Sequence, residues 1–229
     1  MKIDERGFED VITASLVERG GYRVCKRGTA TEWAAHFDRT RGLDTAELLA
    51  FIAETQPITW EGLVAVHGAE SGFRSQFVDR LAKQLDERGT VDVLRHGLSD
   101  HGIEVRLAFF RPAHGLTPEL VTLYGANRLT VTRQLPYDAA ATKTIDLCLF
   151  VNGIPVATAE LKNPLTHQSV EHAKTQYRTD RDPANVTLGR RAVVHFAVDP
   201  ELVEMTTRLE GPKTRFLPFN RGNAGGKGN

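Results

Sequence analysis

Residues 145–162 read IDLCLFVNGIPVATAELK, and this stretch decides the fold. Apolar residues dominate on both sides of Asn152-Gly153, a dipeptide that strongly favours the tight turn of a β-hairpin. Apolar runs of this length that flank a turn are typical of strands buried in a sheet. The sequence therefore predicts two paired strands, at residues 144–151 and 156–162.

Three charged residues interrupt this apolar stretch. Asp146 lies inside the first predicted strand, and Glu160 and Lys162 lie at the end of the second. Charged side chains are costly to bury unless they are paired or bound to a metal, so each of them needs a physical reason to be there. Glu160 and Lys162 are separated by Leu161 alone. On a strand, both therefore point to one face and Leu161 points to the other.

Two carboxylates that converge from adjacent strands offer oxygen ligands to a hard divalent cation. Mg²⁺ in proteins usually binds one or two carboxylates together with waters and substrate phosphate. A lysine beside them can position the attacking water and help to deprotonate it, while the metal offsets the charge that develops around phosphorus. Asp146, Glu160 and Lys162 therefore form a candidate centre for phosphodiester hydrolysis.

The pairing of the two strands tests this hypothesis. If Asn152-Gly153 formed an ideal two-residue hairpin turn, Asp146 would pair with Ala159 and face away from Glu160. A three-residue connection, or a bulge near Pro155, would instead place Asp146 opposite Glu160 with both on one face. We predict this offset register.

The Glu-x-Lys spacing is a weak signal when it is taken alone. About one such pattern is expected by chance in a chain of this length. On the residues alone, a structural pair of Glu160 and Lys162 on an edge strand explains the pattern as well as a nuclease site does. The upstream Asp146, the hairpin between them and a following helix make the nuclease interpretation more specific.

The rest of the chain is predicted to place helices before strands. Helices are expected at 8–19, from the capping pattern Asp44-Thr45-Ala46-Glu47 onward, from Pro57 to Gly68, at 72–88 and at 168–179. Strands are expected at 103–109, 129–133 and 192–198 in addition to the hairpin. This order predicts an α/β (α+β) chain with a mixed sheet.

Composition narrows the class of protein. Lysine plus arginine and aspartate plus glutamate both number 29, so no net charge draws the chain onto a polyanion, and any nucleic-acid contact must come from a local basic surface. The two cysteines imply no disulfide framework, and Cys148 is expected to be a small buried thiol. The eight histidines show no His-Glu-x-x-His pattern, and no Cys-x-x-Cys occurs, so no zinc site is predicted.

Other features concern location and the chain ends. No run of 18 apolar residues occurs and the N-terminus lacks an apolar signal region, so we expect a cytoplasmic protein without membrane contact. His195 is expected to be a satisfied core histidine, and Trp33 and Trp60 are expected in the core or an interface. The glycine-rich residues 220–229 have the composition of a linker.

The stretch from Ile145 to Pro164 resembles the nuclease core of the restriction (R) subunit of type I restriction-modification enzymes, which belong to the PD-(D/E)xK nuclease superfamily. The resemblance is weak over the first 100 residues and strong from about residue 126. Outside the hairpin it is carried by Ala126-Asn127-Arg128, Arg133-Gln134, Gln176-Tyr177-Arg178, Asp182-Pro183, residues 194–199 and residues 216–220.

The resemblance implies a fold, a reaction and a set of roles. It implies a restriction-endonuclease-like mixed β-sheet that is flanked by helices and preceded by a helical portion. Asp146 and Glu160 would hold Mg²⁺, Lys162 would handle the attacking water, and Gln176 on the next helix would support the site. Glu9 on the first helix resembles an extra acidic metal ligand of many superfamily members. The expected product of DNA hydrolysis carries a 5′-phosphate.

Two further groups of residues follow the lysine in the sequence. Some relatives carry Gln-x-x-x-Tyr on the helix after the lysine, whereas here Ala173 stands four residues before Tyr177 and Gln176 is adjacent to it, which leaves the role of Tyr177 open. Arginines that follow the candidate centre could contact DNA phosphates, although a solvated arginine face explains them as well. They are Arg178, Arg181, Arg190 and Arg191.

The resemblance also implies an organisation and partners. Residues 1–215 would form the nuclease domain, with a helical first part at about 1–100 and the catalytic sheet at about 101–215. Residues 216–229 would be a linker toward an ATP-driven motor that is missing from this chain, so that ATP serves only the full-length subunit. The expected partners are double-stranded DNA and, through the full-length protein, the methyltransferase (M) and specificity (S) subunits.

Two alternatives stay open at this point. A stand-alone repair or junction nuclease of the same superfamily would use the same three residues. A module of another class, an inactive assembly or docking module, would have lost its metal site. Three charged residues in apolar strands disfavour the second alternative, because each is costly unless it is used.

Overall fold

In a computed structural model, the structure describes residues 5–25, 36–68, 70–163 and 168–220. Its helices are α1 (Glu5–Gly20), α2 (Thr45–Thr55), α3 (Pro57–His67), α4 (Glu70–Arg88), α5 (Thr90–His96), α6 (Pro118–Gly125) and α7 (Val170–Thr179), followed by a π-helical turn at Thr187–Arg191. Its strands are β1 (Arg23–Val24), β2 (Phe37–Asp38), β3 (Leu43–Asp44), β4 (Leu98–Asp100), β5 (Ile103–Val105), β6 (Leu129–Pro136), β7 (Thr144–Val151), β8 (Ile154–Leu161), β9 (Val194–Val198), β10 (Val203–Thr206) and β11 (Leu217–Pro218).

One mixed sheet organises the chain. Its strand order is β1-β6-β7-β8-β9-β10-β11, and β2–β3 and β4–β5 form separate two-stranded sheets. The pairs β1–β6 and β8–β9 are parallel, and the other neighbours in the large sheet are antiparallel. This arrangement confirms the predicted α/β (α+β) class with a mixed sheet and flanking helices.

Helices cover both faces of the large sheet. On one face, Phe8, Ile12 and Leu16 of α1 pack against a buried cluster that includes Leu147 and Leu161. On the other face, α7 contributes residues such as Tyr177 to a cluster with Cys148 and Phe150, and it packs Val170 and Ala173 against Ala197. The central strands are therefore buried on both sides, which explains why their sequences are nearly continuous apolar runs.

The helices α2 to α5 form a second core with the small β4–β5 sheet. Leu48, Phe51, Phe73, Phe77 and Leu81 are fully buried in this core. The predicted cap at the start of α2 is confirmed, because the Asp44 side chain accepts a hydrogen bond from the backbone N–H of Glu47 at 3.3 Å. Trp60 packs against this core with its ring edge-on to Phe73, as expected of a core tryptophan.

The structure differs from the sequence prediction at three places. The strand expected at 103–109 is only β5, because the chain leaves regular structure after Val105. The large sheet, expected at about 101–215, also includes β1 from the helical first part. The sheet also continues past residue 215, since β11 pairs with β10 and Asn220 donates a hydrogen bond to the Glu201 carbonyl at 2.9 Å.

Two of the predictions concern residues outside the ranges that the structure describes. Trp33 and the linker predicted after Asn220 lie outside the described residues. Within the described ranges, no helix combines the length and the apolar character that a membrane span requires. Cys148 is buried as expected.

The β7–β8 hairpin adopts the predicted offset register. Val151 pairs with Ile154 and Phe150 pairs with Pro155, but the register then shifts, and Leu149 pairs with Ala157 and Leu147 with Ala159. One extra residue, Val156, is therefore accommodated in β8 as a β-bulge. The next residues along this register are Asp146 and Glu160, which the bulge places opposite each other.

The hairpin turn also connects the sheet to the helical core. Gly153 has φ +80°, and its carbonyl accepts a hydrogen bond from the backbone N–H of Asp44 at 2.8 Å, just before α2. A Cβ atom at Gly153 would lie 2.3 Å from the Asp44 carbonyl oxygen and 2.7 Å from the Leu48 nitrogen. This contact requires glycine for its backbone conformation and for the space it leaves.

We predict that Gly153→Ala destabilises the chain strongly. The left-handed backbone costs alanine about 1–2 kcal/mol, and the clash with the start of α2 adds about 1–3 kcal/mol. The matched control is Gly89→Ala, because Gly89 has φ +83° and a Cβ there would have no atom within 4 Å. Urea unfolding should show the larger loss for Gly153→Ala, and equal losses in the two variants would contradict the close packing of turn and helix.

Candidate functional site

The candidate centre is formed where the ends of β7 and β8 lie opposite each other. The register ends with the pair Leu147 and Ala159, and its continuation by one residue sets Asp146 across from Glu160. Alternation along the strand gives Asp146 the same face as Cys148 and Phe150, which belong to the cluster under α7. Asp146 is partly exposed, and its Oδ2 accepts a hydrogen bond from the backbone N–H of Leu161 at 2.7 Å. This bond fixes the carboxylate at the β8 strand end.

Glu160 is the most deeply buried acid of the centre. Its residue surface is 0% exposed, and its Oε1 accepts a hydrogen bond from Arg181 Nε at 2.7 Å and lies 2.6 Å from Arg181 Nη2 in an ion pair. Its second oxygen, Oε2, is buried and has no hydrogen-bond partner among the described residues. Glu160 is thus paired on one side and has an unsatisfied oxygen on the other.

The pKa of Glu160 depends on the charges of the other two predicted residues, Asp146 and Lys162. The pKa of the Glu160 carboxyl is raised to about 8, chiefly by burial and next by the negative charge of Asp146. The positive charges of Arg181 and Lys162 oppose this rise in pKa. Asp146 and Lys162 therefore lie close enough to Glu160 for their charges to act on it through the low-dielectric interior.

Lys162 lies at the β8 strand end, one residue beyond a buried Leu161. Leu161 packs in the cluster under α1, so alternation gives Glu160 and Lys162 the opposite face, as predicted. The backbone N–H of Lys162 donates a hydrogen bond to the Val198 carbonyl at 2.9 Å, which extends the pairing with β9. The Lys162 side chain is partly exposed.

Glu9 lies on α1, a helix that contacts β6. It is 4% exposed, and its Oε1 accepts a hydrogen bond from Gln134 Nε2 at 2.6 Å while its Oε2 accepts one from Arg133 Nε at 3.0 Å. Gln134 Nε2 also donates to Asp146 Oδ1 at 3.2 Å. Gln134 therefore links the acid on α1 to the acid on β7.

Adjacent residues can reach the same acid because the strand is irregular there. Gln134 has φ +48°, a left-handed conformation that breaks the usual alternation of side chains in β6. Arg133 and Gln134 can then both contact Glu9. The ligand atoms of Glu9, Asp146 and Glu160 do not all lie within 4.8 Å of one another in the described part of the chain. The structure thus connects Glu9 to the centre through Gln134 instead of gathering three carboxylates.

Gln176 and Tyr177 lie side by side on α7 but face different surroundings. Tyr177 is fully buried, and its hydroxyl is 2.8 Å from Thr158 Oγ1, two residues before Glu160 on β8. Burial raises the pKa of the Tyr177 hydroxyl well above its usual range, and the charge of Glu160 adds to this effect. Gln176 is partly exposed, and within the described residues its side chain has no hydrogen bond to Asp146, Glu160 or Lys162. A supporting role of Gln176 stays a prediction.

The four arginines predicted to contact DNA differ in their environments. Arg181 is 6% exposed and binds Glu160, and Arg191 is 1% exposed and binds Asp86 on α4 at 2.7 Å. Arg178 donates a hydrogen bond to the Thr214 carbonyl and stacks over Phe216, whereas the Arg190 side chain is 59% exposed. They do not form one surface cluster, and the buried charges of Arg181 and Arg191 are already paired. A DNA contact by Arg178 or Arg190 stays a prediction.

Two residues of the site have roles that the sequence did not indicate. Gln134 connects Glu9 with Asp146, and Arg181 is the buried counterion of Glu160. A buried carboxylate requires a cationic partner. The predicted burial of Glu160 was therefore the sequence signal that an arginine such as Arg181, after α7, would pair with it. The role of Gln134 depends on its left-handed backbone, which no sequence pattern showed.

Comparison with known proteins gives one result for the second half of the chain. Residues 109–214 match the model of the protein family described as type I restriction enzyme R protein N terminus. The match includes β6 to β10 and α7, and therefore all of the candidate centre except Glu9. A comparison with curated proteins found no match to the chain.

The buried network beside the centre generates a prediction about pH. His195 on β9 is 1% exposed, its Nδ1 lies 2.7 Å from Thr158 Oγ1, and this confirms the expected core histidine. Burial lowers the pKa of His195 to about 4, and a hydrogen bond with the Leu188 backbone partly opposes this shift. The folded state thus holds the ring neutral at pH values where the unfolded chain is already protonated.

We therefore predict that His195 makes the fold less stable as the pH falls from about 6.5 to 4. Because the unfolded state binds the proton first, the free energy of unfolding should fall by about 3 kcal/mol across this range. The component should disappear in His195→Asn and persist in His96→Asn, whose histidine is exposed on α5. Chemical unfolding at several pH values measures it, and parallel pH profiles for the wild type and His195→Asn would contradict the assignment.

Proposed function

We propose that this chain is the DNA-cleaving module of a type I restriction enzyme R subunit, because residues 109–214 match the family model described as type I restriction enzyme R protein N terminus. In this proposal it is a metal-dependent endonuclease that hydrolyses phosphodiester bonds of double-stranded DNA. The reaction centre consists of Asp146, Glu160 and Lys162. Glu9 and Gln176 are proposed as supporting residues.

The observation that carries the proposal is the β-bulge in β8. Without the extra residue Val156, the tight turn would pair Asp146 with Ala159, and the two acids would point to opposite faces of the sheet. With the bulge, Asp146 lies opposite Glu160 on one face. A bulge that sets the direction of functional side chains is a common feature beside active sites.

The donor atoms of the centre fit a magnesium ion. Glu160 Oε2 is buried without a hydrogen-bond partner in the described part of the chain, and such an atom is costly unless a ligand satisfies it. Asp146 and Glu160 supply the one or two carboxylates that Mg²⁺ takes from proteins. Burial disfavours the ionised form of Glu160, as its raised pKa of about 8 indicates, and a bound cation would offset this cost. When bound, Mg²⁺ would stabilise the negative charge that develops on the phosphate and the leaving oxygen.

The chain's own residues have distinct tasks in this proposal. Gln134 and the Leu161 N–H hold the Asp146 carboxylate, and Arg181 holds one oxygen of Glu160 while the other has no hydrogen-bond partner in the described residues. Lys162 positions the attacking water and helps it to lose a proton. The water oxygen bonds to phosphorus, the bond from phosphorus to the 3′ oxygen breaks, and the products carry a 5′-phosphate and a 3′-hydroxyl.

The remaining parts of the proposal concern the context of the chain. Sequence recognition is assigned to the S subunit, methylation to the M subunit, and ATP-driven translocation to motor domains of the full-length R subunit. ATP is then a cofactor of the full-length subunit and not of this chain. A cytoplasmic location follows from the same assignment.

Substitution of the two carboxylates tests the centre directly. We predict that Glu160→Gln and Asp146→Asn lower Mg²⁺-dependent cleavage of plasmid DNA by more than the roughly 10- to 100-fold typical of residues that only support a metal site. Cleavage is measured with the chain alone and with the complete type I enzyme that contains it. Glu104→Gln is the matched control, because Glu104 is an exposed acid on β5, and it should leave the rate unchanged.

Manganese binding makes a negative cleavage result informative. We expect the wild-type chain to bind Mn²⁺ in isothermal titration calorimetry and both variants to lose that binding, with unchanged circular dichroism. Cleavage at the wild-type rate by Glu160→Gln would remove the proposed centre. Neither Mn²⁺ binding nor cleavage in either preparation would favour an inactive assembly module instead.

A further inference from the structure

A second group of metal-binding side chains lies in the helical core, outside the residues that match the family. His67 is the last residue of α3, Asp100 is the last residue of β4, and His101 follows in the turn to β5. One nitrogen of each histidine and a carboxylate oxygen of Asp100 all lie within 4.8 Å of one another. Three side chains from two elements and a turn thus converge on one point.

The carboxylate of Asp100 is at the centre of this group. The residue is completely buried, its Oδ2 lies 2.8 Å from His67 Nε2, and its Oδ1 lies 3.0 Å from His101 Nδ1. The two imidazole rings are 4.8 Å apart and nearly perpendicular, at 87°. Two nitrogens therefore approach one buried acid from different directions, as ligands of a single ion must.

The orientation of His67 is fixed by a second polar contact. Its Nδ1 lies 2.9 Å from Gln76 Oε1 on α4, and an amide oxygen can only accept a hydrogen bond. Nδ1 therefore donates to Gln76, and Nε2, 2.8 Å from the carboxylate, donates to Asp100; a zinc ion bound there would replace the Nε2 proton. Metal-bound histidines usually donate their other N–H to such an acceptor, which fixes the tautomer.

The backbone of His101 is also unusual. It has φ +51°, in the left-handed region that residues with a side chain seldom adopt. The side chain is about half exposed, yet its ring nitrogen turns back to the buried Asp100. His101 and Gly102, with φ +51° and +82°, are the two central residues of the β4–β5 hairpin turn, which requires this backbone and holds the His101 side chain beside Asp100.

We propose that His67 Nε2, the Asp100 carboxylate and His101 Nδ1 bind a zinc ion. Two imidazoles and one carboxylate match a common set of three protein ligands of Zn²⁺, with a fourth position open to water. Imidazole ligands favour Zn²⁺ over Mg²⁺, which distinguishes this site from the all-oxygen centre between β7 and β8. The ion would connect α3 to the β4–β5 hairpin and stabilise the helical core.

Arg80 provides the sharpest test, because it is the cation that now competes for this acid. Its Nε lies 3.1 Å from Asp100 Oδ1, and the same guanidinium donates to the Ser99 carbonyl at 2.9 and 3.1 Å. A zinc ion would have to approach Asp100 against this positive charge. Removal of the charge should therefore strengthen zinc binding, whereas a purely structural ion pair between Arg80 and Asp100 would give no such gain.

The experiment titrates ZnCl₂ into the full chain in the Glu160→Gln background, so that the nuclease centre does not contribute. We expect one zinc per chain, a rise in the thermal unfolding temperature with zinc, and tetrahedral d–d absorption bands when Co²⁺ replaces it. His67→Gln and His101→Asn should lower the affinity by more than 100-fold, Gln76→Leu should lower it by about 10- to 100-fold, and Arg80→Gln should raise it. Asparagine is chosen at position 101 because it tolerates the left-handed backbone.

The control is His96→Gln, which alters a histidine that also contacts an aspartate, Asp92, but on the exposed surface of α5. It should bind zinc as the parent does. Circular dichroism verifies that each variant is folded, and His101→Asn carries the test if His67→Gln is not. No zinc binding by the parent, or equal binding by the parent and His101→Asn, would overturn the proposal, whatever the outcome of the cleavage assays.

Discussion

The candidate centre depends on one extra residue in a β-hairpin. Side chains alternate between the two faces of a strand, so a shift of the pairing by one residue decides whether two acids on neighbouring strands can share an ion. Val156 provides this shift in β8, and Asp146 and Glu160 lie opposite each other as a consequence. The same hairpin turn contacts the start of α2 through Gly153, so the helical core helps to hold the register.

The second constraint is the cost of a buried carboxylate. Glu160 has no exposed surface, and an isolated charge in such a place is strongly disfavoured. Arg181 forms an ion pair with one oxygen of Glu160, while the other oxygen has no hydrogen-bond partner in the described residues. Gln134 extends the polar network from Asp146 to Glu9 on α1. The centre is thus embedded in the fold on both sides of the sheet, and its chemistry depends on the packing of α1 and α7.

Much of this arrangement could be predicted from the sequence, because it depends on local rules. The Asn152-Gly153 turn, the apolar strands and the cap at Asp44 each leave a pattern within a few residues, and the structure has all of them. The offset register was predicted because only this register would place Asp146 and Glu160 on one face of the sheet, where both can bind one metal ion.

The contacts that sequence reasoning missed join residues far apart in the chain or depend on unusual backbone. Arg181 was expected at the surface, but the burial of Glu160 requires it as a counterion. Gln134 and His101 have left-handed backbone conformations, which the prediction from residue types did not indicate. His67 and Asp100 are separated by 33 residues, so no short metal-binding motif could reveal their contact.

The most direct test of the central claim is a crystal structure of the chain soaked in MnCl₂, with anomalous scattering recorded near the manganese edge. The account predicts an anomalous peak between β7 and β8, with oxygens of both Asp146 and Glu160 in its coordination shell. Side chains of Asp146 and Glu160 on opposite faces of the sheet, or a manganese peak that neither carboxylate touches, would contradict it.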